Sequence, residues 1–459
     1  MTQDNSFRFV YAKIPTQSGP REASVTVIGG QIACVDGPGG SHCRDVDIAG
    51  AWLLPGAIDG HVHFDDPGFT HREDFASGTR AAAAGGVTTV VDMPCTSIPP
   101  VTDGGSFDNK LAEISSKAYV DFKLWGGVRG NDFQDVGADA DFGTHRLDEL
   151  RDRGVRSIKT YLVSGMDTFA DLTQEQLLHV LVEANRRGML VGVHAEDKQR
   201  VIQGVREHAD DLTDPLAYAR SRDADAEAAG VATCVELAAR TGASLHVVHL
   251  ACAKGVNLIR EAKACGVPIS TETCPHYLAF TEHDLARLGG LLKTAPVVKK
   301  NEDRDALWAG IADGTIDMIA TDHAPGEYPR EKTTGSIWTD YGGVPGVELL
   351  LSYVMSAGVS TGRISLSRAV EVLCEAPARI HSLPAKGRLE PGADADLVVF
   401  DPESVWTVRA AELHTRQKYT PFEGMEMRGR VCSTYVRGVQ VYDAARGIVG
   451  VPRGRLVAI

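Results

Sequence analysis

The chain has 459 residues, 43% hydrophobic and 24% charged, with a formal net charge of −14. That length exceeds one ordinary core and fits a large domain plus a smaller one. The acidic balance excludes a nucleic-acid partner, which a basic patch would mark, and no apolar run is long enough to span a membrane.

Residues 1–10 lack the apolar core of a secretion signal. Nine cysteines, at 34, 43, 95, 234, 252, 265, 274, 374 and 432, form no Cys-x-x-Cys pair. Reduced thiols in a cytoplasmic protein are therefore expected, not a disulfide framework. Residues 1–54 read as short strands and turns: an apolar run at 24–28, Gly29-Gly30, then a second run at 31–36. From position 57 the pattern changes. Strand-like runs occur at 57–63, 87–93, 119–125, 155–162, 189–194, 243–249, 267–272 and 317–322. Helical stretches lie between them at 107–117, 173–187, 223–240, 254–264 and 302–312. Eight strands alternating with helices predict an α/β fold, a (β/α)₈ TIM barrel over 55–384. A doubly wound sheet is the alternative, but no Gly-x-Gly-x-x-Gly follows the early strands. The strand at 396–401 and a hairpin at 434–442 resemble the first segment. A small β-sandwich domain built from 1–54 and 385–459 is thus expected.

Such barrels carry their chemistry at the C-terminal ends of the strands. The first run ends in His61-Val62-His63, the fourth carries Lys159, the fifth ends at His194, the sixth at His249 and the eighth at Asp322. Each has a bland reading: a hydrogen-bonded histidine, a snorkelling lysine, a helix N-cap. Their concentration at one end of one barrel favours a metal site, because alternate residues of a strand point to one face and His61 and His63 can reach one ion. Imidazole and carboxylate suit zinc first, and also cobalt, manganese or iron. Two neighbouring cations repel, so an anionic bridge is needed; a buried lysine of lowered pKa reacts with carbon dioxide to give such an anion.

Several motifs resemble the cyclic amidohydrolases, the group of allantoinases, dihydroorotases and hydantoinases: His61-Val62-His63 after Pro55-Gly56-Ala57-Ile58-Asp59-Gly60, Lys159 following Gly154, and Ala320-Thr321-Asp322-His323-Ala324-Pro325. Gly85-Gly86-Val87-Thr88-Thr89, Thr273-Cys274-Pro275-His276-Tyr277 and the run 386–397 extend the likeness over nearly the whole chain. The resemblance implies two divalent metal ions, one held by His61, His63 and Asp322, the other by His194 and His249, with N6-carboxylated Lys159 and a hydroxide between them. It implies attack on a cyclic amide with Asp322 carrying the proton, and a homodimer or homotetramer. His276 faces the same mouth by position. His246, an odd number of residues from His249, is expected to point away and be structural. His323 and Pro325 are expected to shape their loop. Cys95 and Cys274 have no base evident beside them, so a cysteine nucleophile is not expected.

Dihydroorotases carry an arginine two places after the second histidine to grip the substrate carboxylate; here Asp65 stands there, and a carboxylate would repel that substrate. Hydantoinases usually have a tyrosine five places after the lysine, where this chain has Ser164, and Ala295 stands where a serine is common. Main-chain groups around Ala295 and Gly343 are expected to hold the ring instead. Asp66-Pro67-Gly68 and the run 92–100 resemble allantoinases, whose substrate is neutral. The expected activity is opening of allantoin to allantoate, with a hydantoinase-like imide hydrolase as the alternative, dihydroorotase next, and a non-catalytic scaffold last because all six ligand positions are filled.

Overall fold

The computed structural model describes residues 6–37, 43–134 and 143–457. The first segment forms β1 (Phe7–Ile14), β2 (Arg21–Ile28), β3 (Gln31–Val35), β4 (Arg44–Asp47) and β5 (Trp52–Pro55). Gly29 and Gly30, at φ 60° and 84°, make the turn between β2 and β3, a backbone form that favours glycine.

The middle of the chain forms β6 (Ala57–Val62), β7 (Val87–Asp92), β8 (Asp121–Leu124), β9 (Gly126–Gly127), β10 (Ser157–Tyr161), β11 (Leu190–His194), β12 (Leu245–Val247), β13 (Ile269–Thr273) and β14 (Met318–Ile319). All pair in parallel, β6-β7-β8 in one sheet and β9 through β14 in another. Every residue of β6, β7 and β10 is buried, as in parallel strands covered on both faces. The third expected strand, 119–125, is β8, and β9 follows just beyond it after Trp125, whose N–H still donates to Asp92 O (2.9 Å). At the other edge His323 bridges Val62 in parallel, and His63 N donates to His323 O (2.8 Å).

The eight expected strand positions are present, but two end early. The sixth stops at Val247 and the eighth at Ile319, and shortly beyond them His249 and Asp322 turn to φ 40° and 48°. The expected helices are found at Gln174–Arg186, Ala224–Thr241, Ala253–Ala264 and Asn301–Asp313. The one expected at 107–117 lies earlier, at Gly104–Ile114, where Asp103 caps it by accepting from Ser106 N (2.8 Å). Between the strands, Trp125 donates from Nε1 to Gly60 O (3.0 Å), and Gly192 makes room for its ring; a Cβ there would sit 2.7 Å from it.

The chain then returns to the first segment with β15 (Leu397–Thr407), β16 (Glu426–Val436), β17 (Val439–Asp443) and β18 (Gly447–Ile448). One nine-stranded sheet results, in which β15 pairs antiparallel with β5 and so joins the two ends of the chain. The alternation of side chains sends neighbours to different cores. Leu53, Leu397 and Val399 pack with Phe7, Phe9, Val25 and Val27. Leu54, Val398 and Phe400 pack into the core of the parallel strands.

A buried ion cluster ties the sheet to the parallel strands. Lys386 Nζ lies 2.6 Å from Asp121 at the start of β8, 2.9 Å from Asp394 and 2.7 Å from Asp396, and Arg437 also pairs with Asp121. The three carboxylates thus face a lysine, which occupies the place a cation would take. Removing one partner of a buried pair leaves charge without water or counterion. Lys386→Ala should therefore lower unfolding free energy by about 3–5 kcal/mol in chemical denaturation. A loss below about 1 kcal/mol would match an exposed ion pair instead.

Candidate metal centre

His61, the fifth residue of β6, and His63 just beyond it both point at Asp322: each Nε2 lies 3.1 Å from Asp322 Oδ1. One ligand atom from each of the three lies within 4.8 Å of the others. His194 ends β11 and its Nδ1 is 3.1 Å from Nε2 of His249. The rings of His61 and His249 have centroids 5.5 Å apart, which brings the two groups together. Lys159 rises from β10, wholly buried, with Nζ 4.8 Å over the Tyr161 ring. The six residues expected from the strand ends therefore share one place.

Their chemistry fits divalent cations. Nζ of Lys159, Nε2 of His61 and Nδ1 of His249 are buried and have no hydrogen-bond partner among the described residues. His61 Nε2 lies beside the Asp322 oxygen without hydrogen bonding to it, as two groups aimed at a common third point do. Burial holds His194 below the ordinary imidazole range, and burial with the facing His194 and Lys159 holds His249 well below it. Neutral rings are the metal-binding form. Burial likewise holds Lys159 below the ordinary lysine range, towards the nucleophilic free amine.

Three carboxylates that sequence reasoning missed support this set. Glu272, in β13, lies 2.5 Å from His61 Nδ1 and 3.2 Å from His246 Nε2, and accepts from His249 N (3.2 Å). Glu196 lies 2.8 Å from His194 Nε2 and is gripped by Arg222. Asp59 accepts from Thr321 N (3.0 Å) and Thr321 Oγ1 (2.5 Å), which fixes the residue before Asp322. The signal for all three is a carboxylate inside a run of fully buried residues, where an unpaired charge is not tolerated.

A cavity of about 490 Å³ opens over the histidines and Asp322. Ser164, Ala295 and Gly343 line it, as do Cys95, Tyr161 and Tyr218. Ser164 Oγ accepts from Met166 N (3.1 Å). The N–H and C=O of Ala295 have no partner among the described residues, whereas Gly343 donates to Lys293 O (2.8 Å) and its oxygen accepts from Lys332 (2.7 Å). Gly343 is needed for space: a Cβ there would meet Ala324 O at 2.2 Å. His276 is not in the cavity lining. It sits on the short helix Pro275–Ala279, packed on Tyr277, with burial pushing it down to about 4. His246 contacts Ser270 (2.8 Å) as well as Glu272. His323 Nδ1 accepts from Gly346 N (3.1 Å) and Val347 N (3.2 Å), so this residue holds a loop.

Two expectations need correction. Asp65 is fully buried outside the cavity lining, and burial pushes its carboxyl up to about 8. Burial thus favours its neutral acid form, and it does not face the cavity; what counts against a carboxylate substrate here is the missing arginine. Cys95 does have a base beside it, His63 Nδ1 at 3.7 Å, and its sulfur is 3.0 Å from Tyr161 Oη. Local sequence could not pair residues 32 positions apart.

Imidazoles, a carboxylate and a buried amine converging where parallel strands end define a hydrolase with a divalent-metal centre. A family model described as the amidohydrolase family matches residues 52–441. The allantoinase of Rubrobacter xylanophilus is 38% identical over 445 residues, covering 96% of this chain and 95% of its own. The dihydroorotase of Halobacterium salinarum is 37% identical over 393 residues, 85% of this chain and 86% of its own. The solved L-hydantoinase (dihydropyrimidinase) from Arthrobacter aurescens superposes with a TM-score of 0.92 at 29% identity, covering 99% of both chains. The chain belongs to the amidohydrolase family.

Loss of Glu272 would free the His61 ring to turn. Glu272→Ala should lower divalent-metal affinity about 10–100-fold, read by competition with a chelating dye. An unchanged affinity would remove Glu272 from the support of the ligands.

Proposed function

We propose that this protein opens allantoin to allantoate by hydrolysis. The observation that carries the chemistry is the meeting of His61, His63, His194, His249 and Asp322 at one cavity, with Lys159 buried against Tyr161 of its lining. The substrate reading is supported by the allantoinase relative spanning nearly the whole chain, and by the lack of an arginine at position 65. The parallel strands close as a (β/α)₈ barrel over 55–384, supported by the Val62–His323 bridge, and the nine-stranded sheet folds over as a sandwich of 1–54 and 385–459.

His61, His63 and Asp322 would hold one zinc ion and His194 and His249 another, with N6-carboxylated Lys159 as a ligand shared by both. When bound, the ions supply Lewis acidity and make water a nucleophile near neutral pH. Asp322 takes a proton from the attacking water and delivers it to the ring nitrogen as the C–N bond breaks. The unpaired main chain of Ala295 orients the ring, with Ser164 and Gly343 shaping the wall and His276 buried behind it. Nine free cysteines fit a reducing cytoplasm, and a homodimer or homotetramer fits the family. A hydantoinase-like imide hydrolase is the second reading, favoured by the likeness to the solved L-hydantoinase.

A side-by-side screen of allantoin, hydantoin, dihydrouracil and dihydroorotate, with metal content measured on the same sample, tests the reading. Dominant allantoin turnover is expected; two bound metals with no allantoin turnover would discard the substrate. Asp322→Asn should lower kcat by about 10²-fold or more with little change in substrate binding. Lys159→Ala should lose most bound metal and regain part of its activity with short carboxylic acids. Full activity without added acid would exclude the carbamate bridge.

A further inference from the structure

The cavity has two unlike halves. One is lined by His61, His63, His194, His249 and Asp322, with Lys159 buried behind Tyr161. The other is an aromatic corner with cationic donors that the hydrolysis of a ring amide does not require. Tyr218, on the helix Pro215–Ser221, meets Trp338 edge to face with centroids 5.8 Å apart. The Tyr218 hydroxyl donates to Thr294 O (3.1 Å) and Trp338 Nε1 to Asp211 O (3.0 Å). Both polar tips are therefore occupied, and both residues offer ring surface to the cavity.

Lys293 Nζ lies 4.9 Å over the Tyr218 ring and gives hydrogens to Asp340 O (2.6 Å) and Trp338 O (3.3 Å). An ammonium has three hydrogens, so one is left. Arg222 directs Nε and Nη2 to Glu196, and its Nη1 has no partner among the described residues. The charges are already balanced: Arg222 faces Glu196, and the Asp340 carboxylate, accepting from Thr334 N (2.8 Å), acts on Lys293 from behind the wall. Two unspent donors beside flat aromatic surface, without net positive charge, suit a planar neutral group that carries an acceptor oxygen.

We propose that Tyr218, Trp338, Lys293 and Arg222 form a subsite for a neutral, planar, carbonyl-bearing arm on the substrate ring, a ureido or carbamoyl group. Its plane lies against the two aromatic rings, and its oxygen accepts from Lys293 and Arg222. This rests on the allantoin reading and deepens it, since allantoin carries a ureido arm, whereas hydantoin and dihydrouracil carry none and dihydroorotate carries a carboxylate.

The test compares a substrate with the arm and a ring without it. Allantoin kcat/KM and the inhibition constant of hydantoin against allantoin are measured for the metal-loaded native protein, Trp338→Leu, Tyr218→Leu and Lys293→Met. Allantoin kcat/KM should fall about 10–100-fold, mainly through KM, while the hydantoin constant moves by no more than about threefold. Metal content and circular dichroism should match the native protein. Should Lys293→Met fail to fold, the half-buried Trp338 still decides the matter through Trp338→Leu. Parallel losses for both ligands, or no loss for either, would overturn the subsite while leaving the allantoin reading intact. No allantoin turnover by the native protein would overturn both.

Discussion

The metal centre depends on one buried carboxylate. Glu272 has no access to water, and burial alone would raise its pKa; the facing His61 and His246 instead hold it well below the usual carboxylate range. Because an ionised carboxylate can only accept, His61 Nδ1 donates to it, and Nε2 is left facing Asp322 and the place for a cation. It also receives the His249 N–H, at a residue whose positive φ would otherwise be strained. One charge therefore sets a tautomer on β6 and a backbone angle after β12.

The same logic recurs around it. Glu196 orients His194 and is neutralised by Arg222; Asp59 holds Thr321 and with it the left-handed turn at Asp322. Glu272, Glu196 and Asp59 are each partnered, and each holds a candidate ligand or the residue beside one. Farther out, Lys386 gathers Asp121, Asp394 and Asp396, so the sheet made from both ends of the chain is fastened to the strands that carry the site. Isolated buried charges cost several kcal/mol each, so these clusters hold as units.

The outer wall of the cavity is held by cations acting on main chain. Lys293 takes the carbonyls of Trp338 and Asp340, and Lys332 takes those of Tyr341 and Gly343, both at 2.7 Å. Four carbonyls of one short loop are thus turned towards two buried ammonium groups. That gives the wall a fixed shape without regular secondary structure, and it presents Trp338 to Tyr218.

The sequence by itself determined the order of strands and helices and which residues stand where the strands end. Both follow from local periodicity: a period of two puts His61 and His63 on one face, and apolar runs between helices mark parallel strands. It also determined that one sheet would draw on both ends of the chain. Tertiary structure alone decided the rest. Glu272 reaches His61 across 211 positions and Lys293 reaches Asp340 across 47, distances no periodicity spans. Asp65 reads as a charge in sequence, and only its burial pushes its carboxyl up towards the neutral form. His276 reads as a group at the mouth; it sits on the short helix after β13, outside the cavity lining, with Nε2 buried and unpartnered among the described residues. Periodicity fixes which face a side chain takes, whereas packing of the whole chain fixes what meets it there and whether water can reach it.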